Sequence, residues 1–189
     1  MSSHAYRLAP TASRQRGLPS IGFEMTAPGE VEMTPLGKGG TILRCRELRP
    51  DGKTVGELEV EVFSAALIID RDGILEEKAR DVAQDTAHTQ VSATCAVALP
   101  GATGYRADVE LRGAVRPPLP YVHVFAFAPQ DGIDGGVLVT VRSATPDWPA
   151  AEAILGSLRI LTRHGTAPAN DDSEQAPLLP VVTRSPREP

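Results

Sequence analysis

His123 is the residue of this chain whose type and setting first invite chemistry. An imidazole takes up and releases protons near neutral pH and ligates metals. Here it lies in an alternating row with Tyr121, Phe125 and Phe127, a polar group set among apolar side chains as in a ligand pocket. Asp70, Arg71 and Asp72, just ahead of a helical stretch, add charges that a pocket between sheet and helix would use. The same row also describes the interior of a central strand, covered on both sides, where a histidine is hydrogen-bonded rather than reactive. Tyr121, His123, Phe125 and Phe127 are the candidate binding residues; no catalytic residue is assigned.

Elsewhere the patterns of known chemistries break. Gly37-Lys38-Gly39-Gly40-Thr41 has Glu32 where a phosphate loop requires its first glycine, so a flexible turn is expected. Asp131-Gly132-Ile133-Asp134-Gly135-Gly136 sets two carboxylates among glycines, but Ile133 and Arg142 stand where a calcium loop needs oxygen ligands. A turn-rich hairpin loop fits it better. No two of His4, His88, His123 and His164 have the spacing of metal ligands, and no nucleophile elbow, zincin helix or Ser-x-x-Lys occurs. The expectation is a protein that is not an enzyme and holds neither metal nor cofactor.

The elements that position these residues follow from periodicity. Residues 21–27, 41–48, 57–63, 91–99, 105–111, 121–128 and 137–143 alternate or run apolar as strands, with a last short strand at 158–161. Pro50-Asp51-Gly52 turns the chain between the second and third of these, which should pair as a hairpin. Leu75, Ala79, Val82 and Ala83 recur at helical spacing over about 73–89, and Trp148, Ala151, Leu155 and Leu158 mark a second helix with Pro149 in its first turn and Asp147 or Thr145 as cap. Short connections make consecutive strands antiparallel neighbours. The fold class expected is α+β, an antiparallel sheet covered by two main helices.

Composition sets the outer limits. Residues 1–20 carry Arg7, Arg14 and Arg16 with no acid and no apolar period, reading as a disordered basic arm, and residues 162–189 read as a disordered proline-rich tail. Between them, 21–161 is one domain of ordinary size. The chain's net charge of −5 argues against nucleic acid as partner, and no apolar run reaches the length of a membrane span. With no secretory leader in those first residues, the expected location is cytoplasmic. Cys45 and Cys95 are expected as buried, reduced thiols, and Glu57, Glu59 and Glu61 as one solvated strand face that blunts a sheet edge.

Tyr121 to Phe127, then Val-Leu-Val-Thr-Val-Arg-Ser-Ala-Thr, Trp148 and a helix ending Ile-Leu-Gly-Ser-Leu-Arg-Ile resemble the C-terminal half of PsbP-like domains, particularly the DcrB-like branch. The pattern is similar to that of Eag-type secretion chaperones and mycobacterial envelope lipoproteins. The resemblance covers about 120 core residues in element order and the last 40 in pattern. It implies an α/β/α sandwich acting as a non-catalytic protein-binding module: an adaptor, assembly component or secretion-associated chaperone, bound to another protein or a larger assembly or self-associating. A small-molecule or lipid-binding protein, or an enzyme with its pocket between sheet and helix, is the alternative.

Overall fold

The computed structural model describes residues 3–28, 31–35, 41–64, 71–87, 91, 93–112, 117–130 and 135–162. In chain order these form β1 (Ser3–Leu8), α1 (Pro10–Gln15), β2 (Ile21–Pro28), β3 (Val31–Pro35), β4 (Thr41–Leu48), β5 (Thr54–Ser64) and α2 (Arg71–Ala87). Then come β6 (Thr94–Leu99), β7 (Ala102–Glu110), β8 (Tyr121–Pro129), β9 (Gly135–Ser143), α3 (Pro149–Ser157) and β10 (Arg159–Thr162). The α+β class expected from periodicity is present. Its strands form two sheets, a seven-stranded one ordered β3-β4-β5-β9-β8-β7-β6 and a three-stranded one ordered β1-β2-β10. Every pairing is antiparallel.

The centre of the large sheet dictates the layers. On β8, Val122, Val124, Ala126 and Ala128 point to one face and Phe125 and Phe127 to the other, and all are buried. β9 does the same with Leu138 against Val137, Val139 and Val141. Strands apolar on both faces need a cover on each. α2 supplies one, packing Leu75, Ala79 and Ala83 on Val122, Val124 and Ala126. Its face is the stripe that periodicity picks out, and Glu76 and Arg80 form an i,i+4 ion pair along the helix.

The other cover is not a helix alone. Tyr6 and Leu8 from β1 and Ile21, Phe23 and Met25 from β2 lie with Trp148, Ala151, Ile154 and Leu158 against Leu58, Val60, Phe125, Phe127 and Val139. The small sheet and α3 together cover this face. Trp148, not Asp147 or Thr145, is the residue that caps α3, and its side chain makes no cap bond. Its indole lies over Gly56 of β5, where any Cβ would overlap the ring.

The expected basic arm is therefore corrected. Residues 3–20 are structural, with β1 in register along β2 from Ser3↔Pro28 to Leu8↔Phe23. Two inward side chains, Tyr6 and Leu8, are too few to produce a visible period, and the arginines that suggested an arm occupy outward positions: Arg7, Arg14 and Arg16 are exposed. Thr162 ends β10; the rest of the expected tail, 163–189, lies outside the described residues, as do most of the glycine-rich segment at 37–41 and of the loop at 131–136. Burying Tyr6 and Leu8 contributes roughly 3–6 kcal/mol, a large share of the about 5–15 kcal/mol that holds a domain. Removing residues 1–20 should lower the thermal midpoint by roughly 10 °C or more, measured by circular dichroism; an unchanged midpoint would mean that the segment is an appendage after all.

Candidate functional site

Tyr121, His123, Phe125 and Phe127 project from one face of β8, as alternation requires, but they do not form one open row. Phe125 and Phe127 are 7% and 2% exposed and belong to the core between the sheets. Phe127 lies on Gly104, its cross-strand partner on β7, and Arg106 lies over the Phe125 ring at 5.4 Å. Tyr121, half-buried, stands opposite Glu110 on one side and Ser143 on the other.

His123 is where the strand leaves the cover. Its Nδ1 lies 2.6 Å from Asp108 Oδ1 and its Nε2 3.2 Å from the Pro146 carbonyl oxygen. Arg106 Nε donates to the same Asp108 oxygen at 2.6 Å. With Nδ1–H donating to the carboxylate, that nitrogen cannot accept from Arg106 Nη2, 3.2 Å away, so the guanidinium acts on Asp108. Half-burial raises the Asp108 carboxyl, and hydrogen bonds from His123 and Arg106 with their charges more than offset it, holding the group below its ordinary value. Both ring nitrogens lie against acceptors of the protein itself, the Asp108 carboxylate and the Pro146 carbonyl. The cluster fastens the segment before α3 to the sheet.

The remaining sequence candidates separate in space. Cys45 is buried on β4, its thiol pushed up to about 12 by burial, whereas Cys95 is exposed on β6, which corrects the expectation of two buried thiols. Four strands lie between β4 and β6, a separation of roughly 24 Å that no disulfide spans. Glu57, Glu59 and Glu61 sit on β5, an interior strand, not an edge. Glu59 is only 9% exposed, because Arg44 and Arg142 close over it. Asp72 lies in the first turn of α2 and Asp70 falls outside the described residues. Among the described residues no three His, Cys, Asp or Glu converge as a metal site, and no helix is long and apolar enough to cross a membrane.

Alternation does not point to a further exposed feature, the edge strand β6. Nothing among the described residues pairs with its outer side. Edge strands normally carry a charge, a proline or a bulge that discourages further pairing. Here β1 has Arg7, β10 has Arg159, and β3 has Glu32 and Pro35. β6, Thr-Cys-Ala-Val-Ala-Leu, has none of these, and its register with β7 is unbroken. Cys95, Ala96 and Ala98 are exposed, and a depression of about 330 Å³ flanks the strand, lined by Asp72, Ala96, Ala98, Thr103 and Tyr105. A signal was available in the sequence: no Lys, Arg, Asp or Glu occurs from Thr86 to Tyr105.

No protein-family model matches the chain, and no curated protein matches it.

The lowered Asp108 carboxyl gives a pH signature. A folded value below the unfolded one stabilises the protein above the ordinary carboxyl range, and that contribution is lost as pH falls through the folded value. The stability gap between wild type and Asp108→Asn, measured by urea unfolding, should be constant near neutrality and close as pH falls below about 4. A gap independent of pH would show that the carboxylate charge does not stabilise the cluster.

Proposed function

We propose that this protein is a non-catalytic protein-binding module that takes up a strand of its partner along β6. One observation carries the reading: among the described residues, β6 alone of the edge strands presents an unpaired backbone with no charge, proline or bulge against addition. Main-chain hydrogen bonds would supply affinity there, and the depression beside Ala96 and Ala98 would receive alternate side chains of the incoming strand. The likeness of Tyr121–Leu161 to the DcrB-like branch of PsbP-like domains points the same way, toward an adaptor, assembly component or secretion-associated chaperone working in the cytoplasm.

The alternative, a small-molecule pocket between sheet and helix, has less support. Leu75, Ala79 and Ala83 of α2 fill the space over β8, and His123 has both nitrogens engaged.

Affinity purification of the full-length chain from its native cell, repeated with paired variants, tests the proposal. Ala96→Lys with Ala98→Lys should weaken capture of a reproducible partner by ~10-fold or more, while Ala96→Thr with Ala98→Thr and removal of residues 163–189 should retain it. A partner lost with the tail and kept by the lysine variant, or no reproducible partner at all, would overturn the reading.

A further inference from the structure

The face of the β4–β5 hairpin turned away from the small sheet carries a charge pattern that neither the core nor β6 uses. Arg44 and Arg46 on β4, Glu57 and Glu59 on β5 and Arg142 on β9 form a lattice across three strands. Glu57 accepts from Arg46 Nη2 at 3.0 Å and lies 3.5 Å from Arg142 Nη1. Glu59 is shared between Arg44 and Arg142. Glu61 continues the same row of β5, so three guanidinium groups answer three carboxylates and the lattice itself carries no surplus charge.

Positive charge prevails only toward the turn. Lys53 Nζ lies 3.7 Å from Asp51 with both groups largely exposed, a pairing that contributes little. Arg49, exposed beside the turn, has no ion-pair partner among the described residues. A groove of about 500 Å³ opens here, lined by Arg46, Arg49, Lys53 and Glu57, with Pro118 and Leu119 as its apolar wall. Three cations against one carboxylate make this lining positive on a chain whose net charge is −5.

We propose that the groove is a second docking site, independent of β6, and that its occupant is an extended acidic segment of a partner protein. The Arg46 guanidinium is held by Glu57 through Nε at 3.2 Å and Nη2 at 3.0 Å, so it meets a ligand with little ordering left to do. Its remaining N–H groups, with Arg49 and Lys53, offer donors to carboxylates. The Pro118–Leu119 wall suits an apolar side chain between the acids. A nucleic-acid backbone fits less well, because a run of phosphates needs positive charge well beyond the groove, and this chain is acidic.

The test is fluorescence anisotropy of the full-length chain with a fluorescein-labelled peptide Gly-Glu-Glu-Leu-Glu-Glu-Gly, its glutamine counterpart and a single-stranded DNA of equal charge. The glutamate peptide should bind, weakening ~10-fold between about 50 and 300 mM salt, and the glutamine peptide should not. Arg49→Glu with Lys53→Glu should weaken binding by ~10-fold or more, whereas Arg14→Glu with Arg16→Glu, an equal change of charge at the C-terminal end of α1, should leave it within about threefold. Absence of binding at low salt, equal binding of the glutamine peptide, equal effects of the two double reversals, or tighter binding of the DNA would each overturn the proposal. The overall negative charge of the chain repels an acidic probe, so binding that depends on Arg49 and Lys53 reports a local site.

Discussion

Two adjacent strands, β8 and β9, are apolar on both faces, and the rest of the molecule is arranged to keep water from both. Val122, Val124, Ala126 and Leu138 need one cover, and Phe125, Phe127, Val137, Val139 and Val141 need another. Area-proportional burial makes any uncovered face costly. α2 meets the first demand with a stripe of small and branched side chains. The second face is too broad for the nine-residue α3 alone, and the three-stranded sheet completes it. β2 lies at the centre of that sheet, paired with β1 near the start of the described chain and with β10 near its end, so the cover closes only when distant parts of the chain meet.

That dependence explains what the amino-acid pattern revealed and what it concealed. The β4–β5 hairpin, the β6-β7-β8-β9 meander, α2 and α3 are local, and their periods of two and 3.6 are legible along the chain. β1 escaped because only Tyr6 and Leu8 face inward, and β3 because it spans five residues and ends in proline. The β5–β9 pairing could not be read at all, since it joins Gly56 to Ser143 without any local signal. Glu57 and Glu59 looked like a solvated face; their partners Arg44, Arg46 and Arg142 come from two other strands, and only the register brings them together.

The candidate site was half legible for the same reason. Alternation placed Tyr121, His123, Phe125 and Phe127 on one face, but whether that face is groove or core depends on the small sheet, whose first strand was hidden. His123 proves to be tied by Asp108 and Pro146, contacts from β7 and from the segment before α3. The two features proposed for docking are on the outside: an edge strand without charge or proline at one end of the large sheet, and a groove lined by three cations at the turn of the β4–β5 hairpin. The first offers backbone and the second charge, and a partner engaging both would be read by shape and by sign.

Amide hydrogen exchange on the full-length chain, alone and with its captured partner, tests the central claim most directly. Amides of β8 and β9 should exchange slowest, through global unfolding, while alternate amides of β6 exchange freely in the isolated chain and become protected in the complex. Freely exchanging β6 amides in the partner-bound protein, or β6 amides protected as strongly as β8 in the isolated monomer, would contradict the account.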